Sequence, residues 1–519
     1  MSLNISLKER ATHRQMAINM LSGICVFVLN LCVAFFLTPF IVSKLGMAAY
    51  GFIGLSNNLI SYTAILTIAI NSMSGRFVTV KVHEGNLSEA NGYMSSIFYA
   101  NLLMSGIILI GVIIASVYLQ YLIDIPENLV SDVKALFLML GISSCIGLMT
   151  GVISVGAFIR NRLDVTNVRN MAGSFLRVVL LLLLFGLLPA KLWYVGITMV
   201  IMNLYTLSAN YYFYRVLTPE LQIKFEFFDL KKLMEVISAG AWNILTRISD
   251  ILSRGVDLLL ANLFISASAM GLLSIVLTIP MLILSFFSII SGNYAPEFTR
   301  LYAIGDFEAL KKALLQSVRL TGLLCCIPSS IIFAYGDIIY NVWMPGEDSG
   351  LLYMLTCLCS IGMVFGLPQE PLWNIFTITN KLRKSSLNLF YNSIMIFVTV
   401  MVAMFVIDDN MNRLIALALI RNIYGTIRVT TFLPIYGATC LGYDRWTFYP
   451  PIIRNVVNVA IVTSISLMVK HAFLSSGWMS LFAGVVFTAS IGFVISFFTV
   501  LKGSDREFVV NYLKAKLKL

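Results

Sequence analysis

Residues 236–264 read VISAGAWNILTRISDILSRGVDLLLANLF. The stretch has the length and apolarity of a membrane-spanning helix, yet it contains Arg247, Asp250, Arg254 and Asp257. At about 100° per residue an α-helix places these four, with Asn243, on one narrow stripe. Burying a charge at the centre of a bilayer costs about 3 kcal/mol even on lenient scales. Such a stripe therefore has to face protein or a watery cavity, and the rest of the chain has to supply it.

The composition agrees with a membrane setting. Of 519 residues, 59% are hydrophobic and 12% charged, whereas soluble domains carry about 25% charged residues. Apolar runs long enough to span recur about fourteen times, at 17–41, 52–74, 95–118, 135–157, 171–189, 193–214, 236–264, 269–291, 316–335, 350–376, 387–407, 412–436, 452–470 and 477–501. The expected fold class is an all-α polytopic membrane protein. The basic residues alternate with this count. Lys8, Arg10 and Arg14, then Arg160 and Arg162, Lys231 and Lys232, Lys311 and Lys312, Lys381, Arg383 and Lys384, and the tail with Lys514, Lys516 and Lys518 all fall on one side. The other side holds little beyond Lys44, Lys134, Lys191, Arg413 and Lys470. By the positive-inside rule both termini are cytoplasmic. The basic surplus is thus a topological signal, and no nucleic-acid partner is expected. The first apolar run has no small-residue cleavage site after it, so no signal peptide is expected.

The chain repeats itself. KLGMAAYGFIGL (44–55) resembles FISASAMGLLSI (264–275), and HEGNLSEA (83–90) resembles AIGDFEAL (303–310). Both alignments use one offset, which pairs Gly51 with Gly271, Gly85 with Gly305 and Asn30 with Asp250. Six is even, so two six-helix repeats would be parallel. The expected organisation is a six-helix lobe at 1–214, a cytoplasmic linker at 215–235, a second lobe at 236–440 and two further helices with a basic tail at 441–519. Two such repeats about an axis along the membrane normal describe a transporter plan with a central cavity.

This layout resembles the polysaccharide-transport flippases of the multidrug/oligosaccharidyl-lipid/polysaccharide exporter superfamily. Two local patterns carry the resemblance: Pro39 with Leu45-Gly46 and Tyr50-Gly51, and Pro296-Glu297-Phe298 followed by Gly305-Asp306 and Glu308. The resemblance implies a MATE-like fold of two six-helix lobes plus two helices. It implies movement of undecaprenyl-pyrophosphate-linked oligosaccharide units across a bacterial cytoplasmic (inner) membrane for surface polysaccharide synthesis, beside a polymerase and glycosyltransferases. An ion-coupled multidrug exporter of the same fold is the alternative. Physically, Pro39 and Gly46 are stop signals, Pro296 is expected to end the eighth helix, and Asp306 stands where an N-cap belongs.

The candidate substrate contacts are Arg177, Arg247, Arg254, Arg421, Arg428 and Asn243. A guanidinium fork suits phosphate oxygens. Arg421 and Arg428 share a face, as do Arg247 and Arg254. Asp250, Asp257 and Glu370 are candidates for charge pairing or ion coupling. Two readings of the charged helix stand side by side. Its acids and bases sit at i,i+3 and i,i+4 and could neutralise one another, or the arginines could serve a substrate. Glu370 lies between Pro368 and Pro371, so its helix is expected to break there. The eight cysteines form no CxxC pair, and no cofactor, metal or catalytic residue is expected. P-loop, GxSxG and HExxH motifs are absent and the loops are short, so an enzyme is not expected.

Overall fold

The computed structural model describes residues 2–160, 162–473, 477–503 and 505–507, and every regular element among them is helical. Fourteen helical spans follow in order. They are α1 (Ser2–Leu45), α2 (47–83, as Met47–Tyr62 and Ala64–His83), α3 (Leu87–Leu122), α4 (130–159), α5 (Leu163–Leu187), α6 (Trp193–Leu217) and α7 (230–264). The second series is α8 (Ala267–Ala303), α9 (Phe307–Trp343), α10 (349–378), α11 (Leu382–Val406), α12 (410–440), α13 (Tyr449–Phe473) and α14 (Trp478–Thr499). Among the described residues ten helices are long and apolar enough to cross a membrane unaided, and the halves of α2, bent by 64°, make an eleventh when taken as one span. The remaining three are α6, α7 and α12, whose apolar runs are interrupted by asparagine, tyrosine or arginine.

The repeat is visible in local geometry. Helices α2 and α8 each end in a left-handed glycine, Gly85 and Gly305, both at φ 76°. In the first joint Gly85 N–H donates to the Val82 carbonyl and Asn86 N–H to Lys81; in the second, Gly305 donates to Tyr302 and Asp306 to Leu301. Only glycine takes this conformation at little cost, and the bond pair is the one that closes a helix C-terminus. The next residue then caps the following helix. The Asn86 side chain accepts from Glu89 N at 3.2 Å, and Asp306 accepts from Ala309 N at 2.9 Å. Removing either cap, by Asn86→Ala or Asp306→Ala, should lower stability by about 1 kcal/mol, read as an earlier thermal unfolding in detergent.

The prolines behave differently from expectation. Helix α8 does not end at Pro296 but continues through it to Ala303, and Pro39 lies inside α1, which stops only at Gly46 (φ 85°). A proline removes one N–H, which a membrane helix tolerates. The left-handed glycine is the stronger stop.

By packing, the chain forms two compact units, residues 1–274 and 275–519. The division falls inside α8, whereas the sequence placed the connection between lobes at 215–235. That connection is held within the first unit. Gln222 N–H donates to Asn91 Oδ1 at 2.9 Å, Asp229 N–H donates to Ser96 Oγ at 2.8 Å, and Tyr93 donates to Glu235 at 2.5 Å. The first unit's core joins Val78 of α2, Met94 and Ile97 of α3, Val152 of α4 and Val236 of α7. In the second unit α9 is the buried helix. It packs against α10, α13 and α14, with Leu314, Val318, Leu372, Ile375 and Ile452 in one apolar layer. Its Arg319 makes a two-point, buried ion pair with Asp505 (2.5 and 3.1 Å), which ties the segment after α14 to α9.

Candidate functional site

In the first unit the charged helix α7 lies against α2. Gly240 permits this, because the Ala69 carbonyl occupies the place a β-carbon would take. Further along, Asn243 Nδ2 donates to Ser72 Oγ at 2.9 Å. Both helices then break at the same level. α2 bends at Thr63, and α7 has a π-helical turn at Ile251–Gly255. Each break frees backbone groups, and the partner helix satisfies them. Gly255 O accepts from Tyr62 Oη (2.6 Å) and Asn58 Nδ2 (3.3 Å), while Ser61 O accepts from Arg247 Nη2 (3.0 Å). The Arg247 Nε is buried without a hydrogen-bond partner among the described residues.

The π turn alters the predicted stripe. An inserted residue rotates everything after it by roughly 100°. Arg247 and Asp250 precede the turn, Arg254 lies within it and is exposed, and Asp257 follows it and is only 4% exposed. The stripe that a regular helix would carry is therefore interrupted at the π turn.

Arg177 sits elsewhere in the same unit. It lies on α5 near Tyr50 at the start of α2, and its Nε is also buried without a hydrogen bond among the described residues. Tyr50 and Ser61 lie about 16 Å apart along an α-helix. Arg177 and Arg247 thus address two ends of one half of α2 and are not brought together.

In the second unit α12 is regular as far as Ile427, so Arg421 and Arg428 keep their common face. A second π turn begins at Arg428 and runs to Phe432. Arg428 Nε donates to Asn388 Oδ1 at 3.1 Å, and its guanidinium lies 4.5 Å over the Trp373 ring. Trp373 closes a 3₁₀ segment, Leu367–Trp373, where Pro368 and Pro371 interrupt α10 as expected. Glu370 is in that segment; its carbonyl accepts from Ser291 Oγ at 2.9 Å, and Asn374 Nδ2 donates to Ser291 O at 3.1 Å. Arrangement by arrangement, each unit offers an intramembrane arginine at a π turn, with aromatic and amide groups beside it. Such groups bind oxyanions and sugar faces. Among the described residues no cluster of His, Cys, Asp and Glu could hold a metal ion.

Sequence reasoning missed Asn58, Ser61, Tyr62, Trp373 and Asn388. The signal for the first three was present: SNNLISYT (56–63) is a polar run inside a span.

No family model matches the chain. The uncharacterized membrane protein EpsK of Bacillus subtilis (strain 168) is 25% identical over 494 residues, covering 95% of this chain and 97% of that protein. Among solved structures, the inward-facing conformation of a multidrug resistance MATE family transporter of the MOP superfamily aligns with a TM-score of 0.62 at 13% identity, covering 79% of this chain and 94% of that one. The lipid II flippase MurJ, inward closed, aligns at 0.62 and 13% identity, covering 92% and 98%. A MOP superfamily transporter from Pyrococcus furiosus Vc1 (DSM3638) aligns at 0.63 and 13%, covering 82% and 95%. The fold is MATE-like. The chain is a multi-pass membrane protein with the helical architecture of MOP-superfamily transporters.

Proposed function

We propose that the chain is a flippase that moves undecaprenyl-pyrophosphate-linked oligosaccharide units across the bacterial cytoplasmic membrane by alternating access. The observation that carries this reading is Arg247: a half-buried intramembrane guanidinium, anchored through Nη2 to the Ser61 carbonyl at a helix break, with its Nε without a hydrogen-bond partner among the described residues. The side chain is only partly buried, and a pyrophosphate oxygen is a fitting acceptor for the part of the guanidinium that stays accessible. Arg428, flat against Trp373, offers the same chemistry beside a ring on which a sugar can lie. The 236–440 segment would act as the second lobe, with both termini cytoplasmic and the polymerase and glycosyltransferases as neighbours. The likeness to the MurJ flippase, which spans more of this chain than the MATE structures do, supports a lipid-linked cargo.

The multidrug alternative calls for an acidic cavity able to attract cationic drugs. Five arginines, Arg177, Arg247, Arg254, Arg421 and Arg428, against Asp250, Asp257 and Glu370 weigh against it. Deleting the gene should trap lipid-linked repeat units on the inner leaflet and abolish the surface polysaccharide, with drug susceptibility unchanged. Unaltered leaflet distribution in the deletion strain would overturn the proposal.

A further inference from the structure

We propose that the connection between α6 and α7 is a binding platform for anionic phospholipid headgroups. The platform would serve any cargo and stands apart from the flippase reading. Residues 224–231 read KFEFFDLK. Their backbone is fixed to α3: Lys224 N–H donates to Ser95 Oγ at 3.2 Å, and Asp229 N–H donates to Ser96 Oγ at 2.8 Å. Between these anchors a 3₁₀ turn, Phe225–Phe227, presents apolar side chains. Phe225 is 71% exposed, and Leu230 is exposed as well. The Phe225 ring meets Tyr99 of α3 edge-on, with centroids 5.3 Å apart, and lies nearly parallel to Phe228 at 6.0 Å. Rings held outward by a hydrogen-bonded backbone mark a surface that something covers.

What covers it follows from where it stands. Tyr99 continues the exposed apolar stripe of α3 that holds Leu102, Leu103 and Ile110. Helix α3 is long and apolar enough to cross a membrane, so that stripe faces lipid. A hydrocarbon core about 30 Å thick takes about 20 helical residues. Counted back from Leu122, where α3 ends, such a core reaches Leu102. Tyr99 lies about one turn beyond, so the rings of Tyr99, Phe225 and Phe228 stand at headgroup depth, where aromatic side chains are favoured. Charge then selects the headgroup. Lys224 and Lys231 flank the rings, and both are exposed. The neighbouring acids are engaged: Glu220 pairs with Arg160 at 2.5 Å, Asp229 Oδ1 accepts from Lys231 N–H at 2.8 Å, and Glu235 accepts from Tyr93. Glu226 is exposed and opposes the lysines in part, while Arg215 and Lys232 add to the basic side. A basic pair around rings at this depth fits an anionic phosphodiester such as that of phosphatidylglycerol, in preference to a zwitterion.

The test uses the full chain in vesicles of equal parts phosphatidylglycerol and phosphatidylcholine, at low salt. Phe225→p-benzoylphenylalanine places a photo-cross-linker on the platform. Leu103→p-benzoylphenylalanine, on the lipid-facing stripe, gives the reference ratio of the two lipids. Light should attach phosphatidylglycerol at position 225 at least fivefold above that reference, because one lysine near an anionic leaflet is worth about a factor of five. Lys224→Gln with Lys231→Gln should return the ratio at 225 to the reference, with thermal unfolding and the adducts at 103 unchanged. Raising the salt to shorten the range of the charges should act in the same direction. Equal ratios at 225 and 103 in the protein with both lysines, or an enrichment that survives the lysine changes, overturn the headgroup assignment. A protein adduct at 225 in place of lipid, formed in native membranes, overturns it in favour of a protein partner.

Discussion

Arg247→Ala should reduce export of lipid-linked units by about ten- to a hundredfold, and Arg247→Lys should restore part of it. A hydrogen bond to a charged group contributes about 1.5–3 kcal/mol, and each 1.4 kcal/mol is a factor of ten. Lysine keeps the charge but has no planar fork, so it cannot hold Ser61 O and an oxyanion in fixed geometry together. The same pair of changes at Arg428 should show a smaller loss, because Asn388 and Trp373 remain to frame the site. The measurement is surface polysaccharide per unit of folded protein, with protein quantified in the membrane. Arg247 also braces a structural break, so a drop in protein level must be separated from a drop in export. Normal export in Arg247→Ala at normal protein level would remove the phosphate-binding role.

The difference between what the chain announced and what it concealed is physical. Helix number and joints were legible because their causes are local. A run of apolar residues and the succession Gly305-Asp306 decide a span and a cap without reference to distant residues. The break at Glu370 was legible because two prolines suffice to make it. The offset between repeats showed in a few glycines, of which Gly85 and Gly305 hold left-handed joints and Gly51 and Gly271 a close helix crossing. The π turn at Ile251–Gly255 was not legible. Nothing in ILSRG forbids a regular α-helix, and the turn's freed carbonyl is satisfied by Asn58 and Tyr62, almost 200 residues earlier in the chain. That insertion interrupts the stripe that regular geometry required. Proline at 296 was misread for the converse reason: its local effect, one missing N–H, is too small to end a helix whose strong stop is Gly305.

Gly240→Leu should destabilise the protein by about 3 kcal/mol or more, at the upper end of what overpacking produces. Its β-carbon would fall on the Ala69 carbonyl, and backbone on both sides leaves no flexible side chain to yield. Gly271→Leu should behave alike, since Met47 O stands against it and the Gly51 backbone lies in the same crossing. Gly111→Ala, facing open space, should stay within about 0.5 kcal/mol of the wild type. The unfolding temperature in detergent reads all three. Gly240 should also reach beyond stability. Forcing α7 off α2 separates Gly255 from Tyr62 and Asn58 and Ser61 from Arg247, leaving two helix breaks with buried, unsatisfied carbonyls. Each such group costs about 1–3 kcal/mol, so the breaks should revert to continuous helix. Regular winding would restore the four-charge stripe, at the cost of the anchored guanidinium. Protein that still folds with Gly240→Ala should therefore lose export beyond its loss of stability. A Gly240→Ala protein with full export and an unchanged unfolding temperature would show that the paired breaks do not depend on this contact.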